Sequence, residues 1–372
     1  PFSLAIVTPA VAGPFDLGTV VVRAALFIDP LTAQVTVRSD PFPSIIDGIP
    51  LDIRSVAVDV SRPGFMLNPT SCEVSAVTGQ ETSTAGQTAG LSSRFQAGGC
   101  TNLPFKPSLA VSASGNVSHL DGTSVQFRLS YPPGALGREA WLRSAKFEFP
   151  KQLSARFATI QKSCPAAVFT ANPAGCPGPA TIGTATVKSE LLPVPLSGPV
   201  YFVSNGSAKF PEAVFVLQGD GVTVDLHSET FINETTGVTS ATLPAIPGVP
   251  FEEATVTLPA GPYSEFTGIG NLCKPTKTIT VKKKVTVRSK GHTRRVTRTV
   301  KQTVPAPLEM PTGFIGQNGA SISQETPVTI TECPVAGKVG THKKSTKRRT
   351  KRKKSQEGRA RGMGDKQGKT KR

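Results

Sequence analysis

No stretch of this 372-residue chain holds the eighteen or so consecutive apolar residues that a membrane-crossing helix needs. No helical membrane span is therefore expected. Long periodicity of 3.6 residues is nearly missing too, which sets helical bundles aside. Aromatic residues that could stack on a sugar are scarce, with one Trp and three Tyr. The four histidines, His119, His227, His292 and His342, are scattered, and no CxxC, HExxH or GxSxG occurs. Close spacing is what lets two thiolates reach one zinc ion or each other, and a nucleophile elbow needs its glycines. We expect no metal site, no cofactor and no catalytic residue, and read the chain as non-enzymatic. The C-terminal "GMGDKQGKT" is only superficially a phosphate loop, because Met363 stands where its first Gly should be.

What the chain has in quantity is Gly (35), Pro (33) and short alternating runs of Val and Thr. That combination predicts an all-β fold with many turns. The length favours two globular units. We expect two β-sandwich (Ig-like) domains, over 1–104 and 105–334, followed by a disordered basic tail over 335–372. "TVVVRAALFI" (19–28) reads as a strand buried on both faces, and "QGDG" (218–221) as a tight turn between two alternating runs. In "LDIRSVAVDV", Leu51 and Ile53 share one parity and Val56, Val58 and Val60 the other, which predicts a bulge near Ser55. The one helical pattern is Leu153, Phe157 and Ile160, giving a short helix over about 151–162 behind Pro150. Asp225, His227 and Glu229 alternate opposite Val222, Val224 and Leu226, the arrangement of a plain strand with one wet face.

The six cysteines fall into three local clusters, so we expect the sequential pairs Cys72–Cys100, Cys164–Cys176 and Cys273–Cys333. The Cys164–Cys176 loop is crowded with Pro165, Pro173 and Pro177, which suits a staple better than a metal knuckle. An even count of widely spaced cysteines also argues for an oxidising, extracytoplasmic setting. The sequons at Asn116, Asn205 and Asn233 matter only in a host that glycosylates.

Charge is distributed unevenly. Residues 274–304 carry eleven Lys and Arg and no acid, and residues 335–372 carry sixteen against Glu357 and Asp365. The remainder keeps 15 basic and 23 acidic residues, a net −8. Any anionic partner should thus meet those two segments. The first reads as a hairpin, with Lys282, Lys283, Lys284, Arg288, Lys290, Arg294, Arg295 and Arg298 as candidate polyanion-binding residues. The second adds Lys343, Lys344, Lys347, Arg348, Arg349, Lys351, Arg352, Lys353 and Lys354 in a stretch that cannot bury a core.

"KSCPAAVFTANPAGCPGPATIGTATV", "GPVYFVSNGSAKFPEAVFVLQGDGVTVDL", "LPAGPYSEF" and "GFIGQNGA", preceded by "SSRFQAGGC", resemble a family of uncharacterised secreted proteins of soil actinobacteria of the Thermoleophilia type. The resemblance covers about Pro1 to Cys333. It implies a larger parent with upstream β units and a signal peptide, cysteines that serve structure, and no established activity. Residues 274–304 look like an insertion relative to that family, and His227-Ser228 departs from its pattern. The chain opens at Pro1 without Met, so its true start is expected upstream. We therefore expect a secreted or cell-surface structural or adhesive protein held to anionic cell-wall polymer or lipid headgroups by its basic segments. Nucleic-acid binding is the alternative and an extracellular hydrolase the third reading.

Overall fold

The computed structural model describes residues 2–204, 206, 210–289 and 292–333, within a unit spanning Pro1–Pro334. The basic tail lies outside the described residues. The chain opens with an antiparallel meander, β1 (Phe2–Ala12), β2 (Phe15–Ile28) and β3 (Val35–Ser39). Two short pieces, β4 (Ile45–Ile46) and β5 (Ile49–Pro50), follow. After them comes the exposed hairpin of β6 (Ser75–Thr82) and β7 (Thr88–Phe95). Only one face of β2 is covered: Val22 and Ala24 are buried while Val21 and Phe27 are exposed. The expected two-sided burial fails because, among the described residues, nothing covers the face of β2 that carries Val21 and Phe27. Residues 51–60 belong to no strand, and Ile53, Val56, Val58 and Val60 are exposed. A register repair at Ser55 has no partner strand to act on.

From Ser108 onward the strands are β8 (Ser108–Ser114), β9 (Val125–Ser130) and β10 (Leu142–Glu148), then the short β11 (Leu153–Ala155). Helix α1 (Phe157–Ile160), β12 (Cys164–Pro165) and helix α2 (Ala166–Ala171) form the stapled excursion. Next come β13 (Thr181–Lys188), β14 (Leu196–Ser204), β15 (Glu212–Gly219), β16 (Val222–Ile232), β17 (Thr239–Leu243), β18 (Glu253–Leu258) and β19 (Phe266–Gly268). A long hairpin, β20 (Thr276–Ser289) and β21 (His292–Pro305), precedes the final pair β22 (Glu309–Gly316) and β23 (Ser321–Thr331).

Eleven of these strands close on themselves in the order β14, β13, β18, β9, β8, β23, β22, β10, β17, β16, β15 and back to β14. Two Ig-like sandwiches are therefore replaced by one closed barrel. A strand with one apolar face reads identically in either architecture. Closure is decided by register and bend, such as the shifts between Thr181 and Gly183 and between Leu142 and Ser144. Antiparallel neighbours must alternate in direction, and an odd ring cannot alternate all the way round. One parallel contact is unavoidable, and it falls between β23 and β8, with Val328 opposite Val111 and Ile330 opposite Ala113. The turn at "QGDG" is tight as expected, with Asp220 and Gly221 both at positive φ (50° and 77°).

The expected helix over 151–162 shrinks to the four residues of α1. Leu153 instead pairs with Gly268 and Ala155 with Phe266, and this pairing overrides the i, i+4, i+7 pattern; Phe157 is left exposed. Cys72–Cys100, Cys164–Cys176 and Cys273–Cys333 are disulfide-bonded, the sequential set. The middle one fastens α2 over the outer face of β14 and β15, where Phe169, Tyr201, Val203, Val214 and Val216 pack together. Gly115 has no room for a Cβ, which would meet the sulfurs of Cys273 and Cys333. That bridge thus sits hard against the end of β8.

Candidate functional site

Inward positions around the ring are almost uniformly apolar. Phe127 and Leu129 of β9, Ala145 and Phe147 of β10, Val200 of β14, Phe215 and Leu217 of β15, Val224 and Leu226 of β16 and Val256 of β18 face a common interior. Alternate residues are polar on some of these strands, for example Gln126 and Arg128 of β9 and Thr257 of β18, and Arg128 is ion-paired to Glu253; on β14 and β15 the outward residues are the apolar set that α2 covers. An apolar interior is the reverse of the polar lumen of a water-filled membrane barrel.

The interior is not filled. A cavity of about 450 Å³ remains, inside the range of about 300–1,000 Å³ typical of small-molecule sites. One end of the barrel is a floor, where Phe149 and Phe266 meet at 4.7 Å between ring centroids and Leu153 and Leu272 complete the cover. Thr123 N–H donates to Phe266 O (3.0 Å), which ties this floor to the β8–β9 turn. At the opposite end Tyr131 stacks edge-on against Trp141 (5.7 Å) and Phe251 (5.3 Å). Val35 (54 % exposed), Leu191 (51 %) and Val249 (37 %) both line the cavity and reach solvent, so they mark its mouth.

Part of the wall is supplied from outside the ring. β17 pairs only with residues 229–232 of β16, leaving 222–228 without a neighbour on that side. The turn between β2 and β3 fills this gap: Pro30 O accepts from Asp225 N–H (2.8 Å), and Ile28 and Phe2 line the cavity. The N-terminal meander therefore contributes to the barrel wall rather than forming a separate sandwich.

Among the described residues one ionisable group lines the cavity, Glu265, at the floor just before β19. Its side chain makes no hydrogen bond or ion pair with any described residue, and the residue is 8 % exposed. Burial alone pushes its carboxyl up to about 8, so it is mostly a neutral acid at pH 7. The other polar lining groups are the hydroxyls of Ser189, Ser228, Thr230 and Thr255. Among the described residues no cluster of His, Cys, Asp and Glu could hold a metal ion.

No protein-family model, curated protein or solved structure matches this chain. The site must be read from its own chemistry.

The residues that the sequence singled out lie elsewhere. Asp225, His227 and Glu229 are on the outer face of β16; His227 Nδ1 is 3.2 Å from Glu212 Oε2. Burial raises the Asp225 carboxyl above its ordinary value, partly offset by His227. Lys282, Lys283, Lys284, Arg295 and Arg298 are exposed on the β20–β21 hairpin, and Arg288 and Arg294 hold strand positions on it. Each strand has fourteen residues, about 45 Å at roughly 3.3 Å per residue, and the hairpin pairs with no other strand. Lys290 and Lys343–Lys354 lie outside the described residues. Sequence reasoning missed the cavity and Glu265. The only trace of the latter was an acid in "SEFTG" among residues that proved buried.

Proposed function

We propose that this protein binds an apolar small molecule, of lipid character, inside its barrel. The observation that carries the reading is the 450 Å³ apolar cavity, closed at one end and open at an apolar rim. Interiors are ordinarily filled to about three-quarters of their volume, and leaving apolar side chains without contacts is destabilising unless something occupies the space. The role is storage or carriage rather than turnover, since among the described residues the lining supplies one acid and a few hydroxyls with no His, Lys or Asp to activate them. Three disulfides fit an extracellular or cell-surface setting, as does the resemblance to secreted actinobacterial proteins. An environment-sensitive apolar dye should bind the full chain with one-to-one stoichiometry and be displaced by long-chain lipids. Ala213→Phe, which puts a ring into the cavity beside Phe215, should abolish binding while leaving the fold's circular dichroism intact. A dye that binds both proteins alike would rule the cavity out as the site.

A second reading, attachment to anionic envelope polymer or lipid headgroups, is favoured by the hairpin. Lys283 lies directly opposite Arg298, and like charges at such positions repel, a strain that a bound polyanion relieves. The full chain should be retained on a phosphate-rich matrix, with affinity falling steeply in salt. Replacing Lys282, Lys283, Lys284 and Arg298 by Gln should lower the salt needed for elution. Unchanged elution would remove the hairpin from this role.

A further inference from the structure

We infer that the cavity selects a neutral lipid bearing a carbonyl group, of the long-chain ketone, ester or quinone class, whose oxygen accepts a hydrogen bond from Glu265 at the floor of the barrel. The inference rests on the apolar-ligand reading above and adds the chemistry of the ligand's polar end.

The argument starts from what a carboxyl is doing there. Glu265 is buried in a lining otherwise made of aliphatic and aromatic groups with four hydroxyls, and it has no partner among the described residues. A buried polar group left without a partner is destabilising, so such a group is expected to meet its partner in the bound ligand. Nothing nearby is set to ionise it. The adjacent Arg156 donates its backbone N–H to Glu265 O, but its guanidinium is committed to the carbonyls of Leu120, Gly261 and Ser264. Among the described residues no Lys, Arg, His or Asp lines the cavity, so none of them sets a charge across from the carboxyl. A phosphate or carboxylate headgroup would find no cation to pair with in this apolar space and would stay unneutralised. An ammonium group would have to form a fully desolvated ion pair with Glu265, which gains little over its hydration. A neutral carboxyl is chiefly useful as an O–H donor, and a carbonyl is the acceptor that brings no charge.

Depth agrees with this assignment. The floor is at the Phe149–Phe266 end and the apolar rim of Val35, Leu191 and Val249 is at the other. The ligand therefore enters carbonyl first, with its hydrocarbon body filling the barrel toward the mouth.

The test uses the full chain, a displaceable apolar dye, and three competitors of equal length: heptadecane, 2-heptadecanone and heptadecylamine. Glu265→Leu should weaken 2-heptadecanone about tenfold while leaving heptadecane unchanged or slightly tighter. Glu265→Gln, whose amide still donates, should keep the ketone. In the wild type, ketone affinity should fall as pH rises from 7 to 9.5 and the donor proton is lost, and in Glu265→Gln it should not. Loss of the dye and of all competitors in the wild type would overturn the cavity reading itself. Entry of heptadecane with no loss of the ketone in Glu265→Leu, or an amine that outcompetes the ketone, would overturn the carbonyl assignment alone.

Discussion

Glu265→Gln should make the folded protein more stable at pH 9 by something on the order of 5 kcal/mol, and leave it little changed at pH 4. The sign follows from the direction of the shift. The carboxyl rises from an ordinary 4.5 to about 8 in the folded protein, so the folded state holds its proton where the unfolded chain has already lost it. Stability is then lost as pH climbs from about 4.5 to about 8, and no further above that. At about 1.4 kcal/mol per pH unit the full loss comes to the figure given, a large share of the roughly 5–15 kcal/mol that holds a domain together. Denaturant unfolding at pH 4, 6 and 9 measures it. A wild-type curve as flat as that of the Gln variant would show that water or rearrangement already accommodates the ionised form.

Replacing Cys273 and Cys333 together by Ser should lower stability by about 4 kcal/mol. The bridge spans 60 residues, and the chain-entropy account assigns about that much to a loop of this length against about 3 kcal/mol for the twelve-residue Cys164–Cys176 loop. Position adds to length. The Cys273–Cys333 sulfurs crowd Gly115, and Gly115 N–H donates to Thr331 O (2.7 Å), so the bridge clamps the parallel contact where β8 and β23 end. The Cys164–Cys176 bridge fastens only an outer excursion. Urea unfolding of the two double-serine variants ranks them, and equal losses would mean that loop length and seam position carry no weight.

How far the sequence spoke for the fold varied with the range of the interaction concerned. Alternation in "EAVFVLQGDGVTVDLHSE" is local, and it places β15, the turn and β16 correctly. The hairpin of β20 and β21 is also local, its two strands being neighbours in the sequence. The barrel is not local, because the pairing of Val328 with Val111 leaves no mark on either segment taken alone. The cavity is less legible still. Each inward side chain is what a filled core would also require, and emptiness is a property of the ring's circumference rather than of any residue. Glu265 reads as a solvated loop acid until the ring of strands encloses it in the same cavity lining as Phe149, Phe266 and Leu258. The exposed 51–60 segment marks the opposite error, since its period-2 valines look like a strand but have nothing to pair with.

The seam between β8 and β23 also governs how the chain reaches its fold. Its partners are separated by some two hundred residues, and the intervening strands can assemble only an open curved sheet until β23 arrives. During synthesis that sheet presents β8 as a bare edge, with its apolar inner face toward water, for as long as the last strand is untranslated. Ring closure is therefore expected to come last, because contacts so far apart in sequence form slowly. A chain cut anywhere before β23 is left as a sheet edge seeking a partner, which in a crowded cell is another copy of itself.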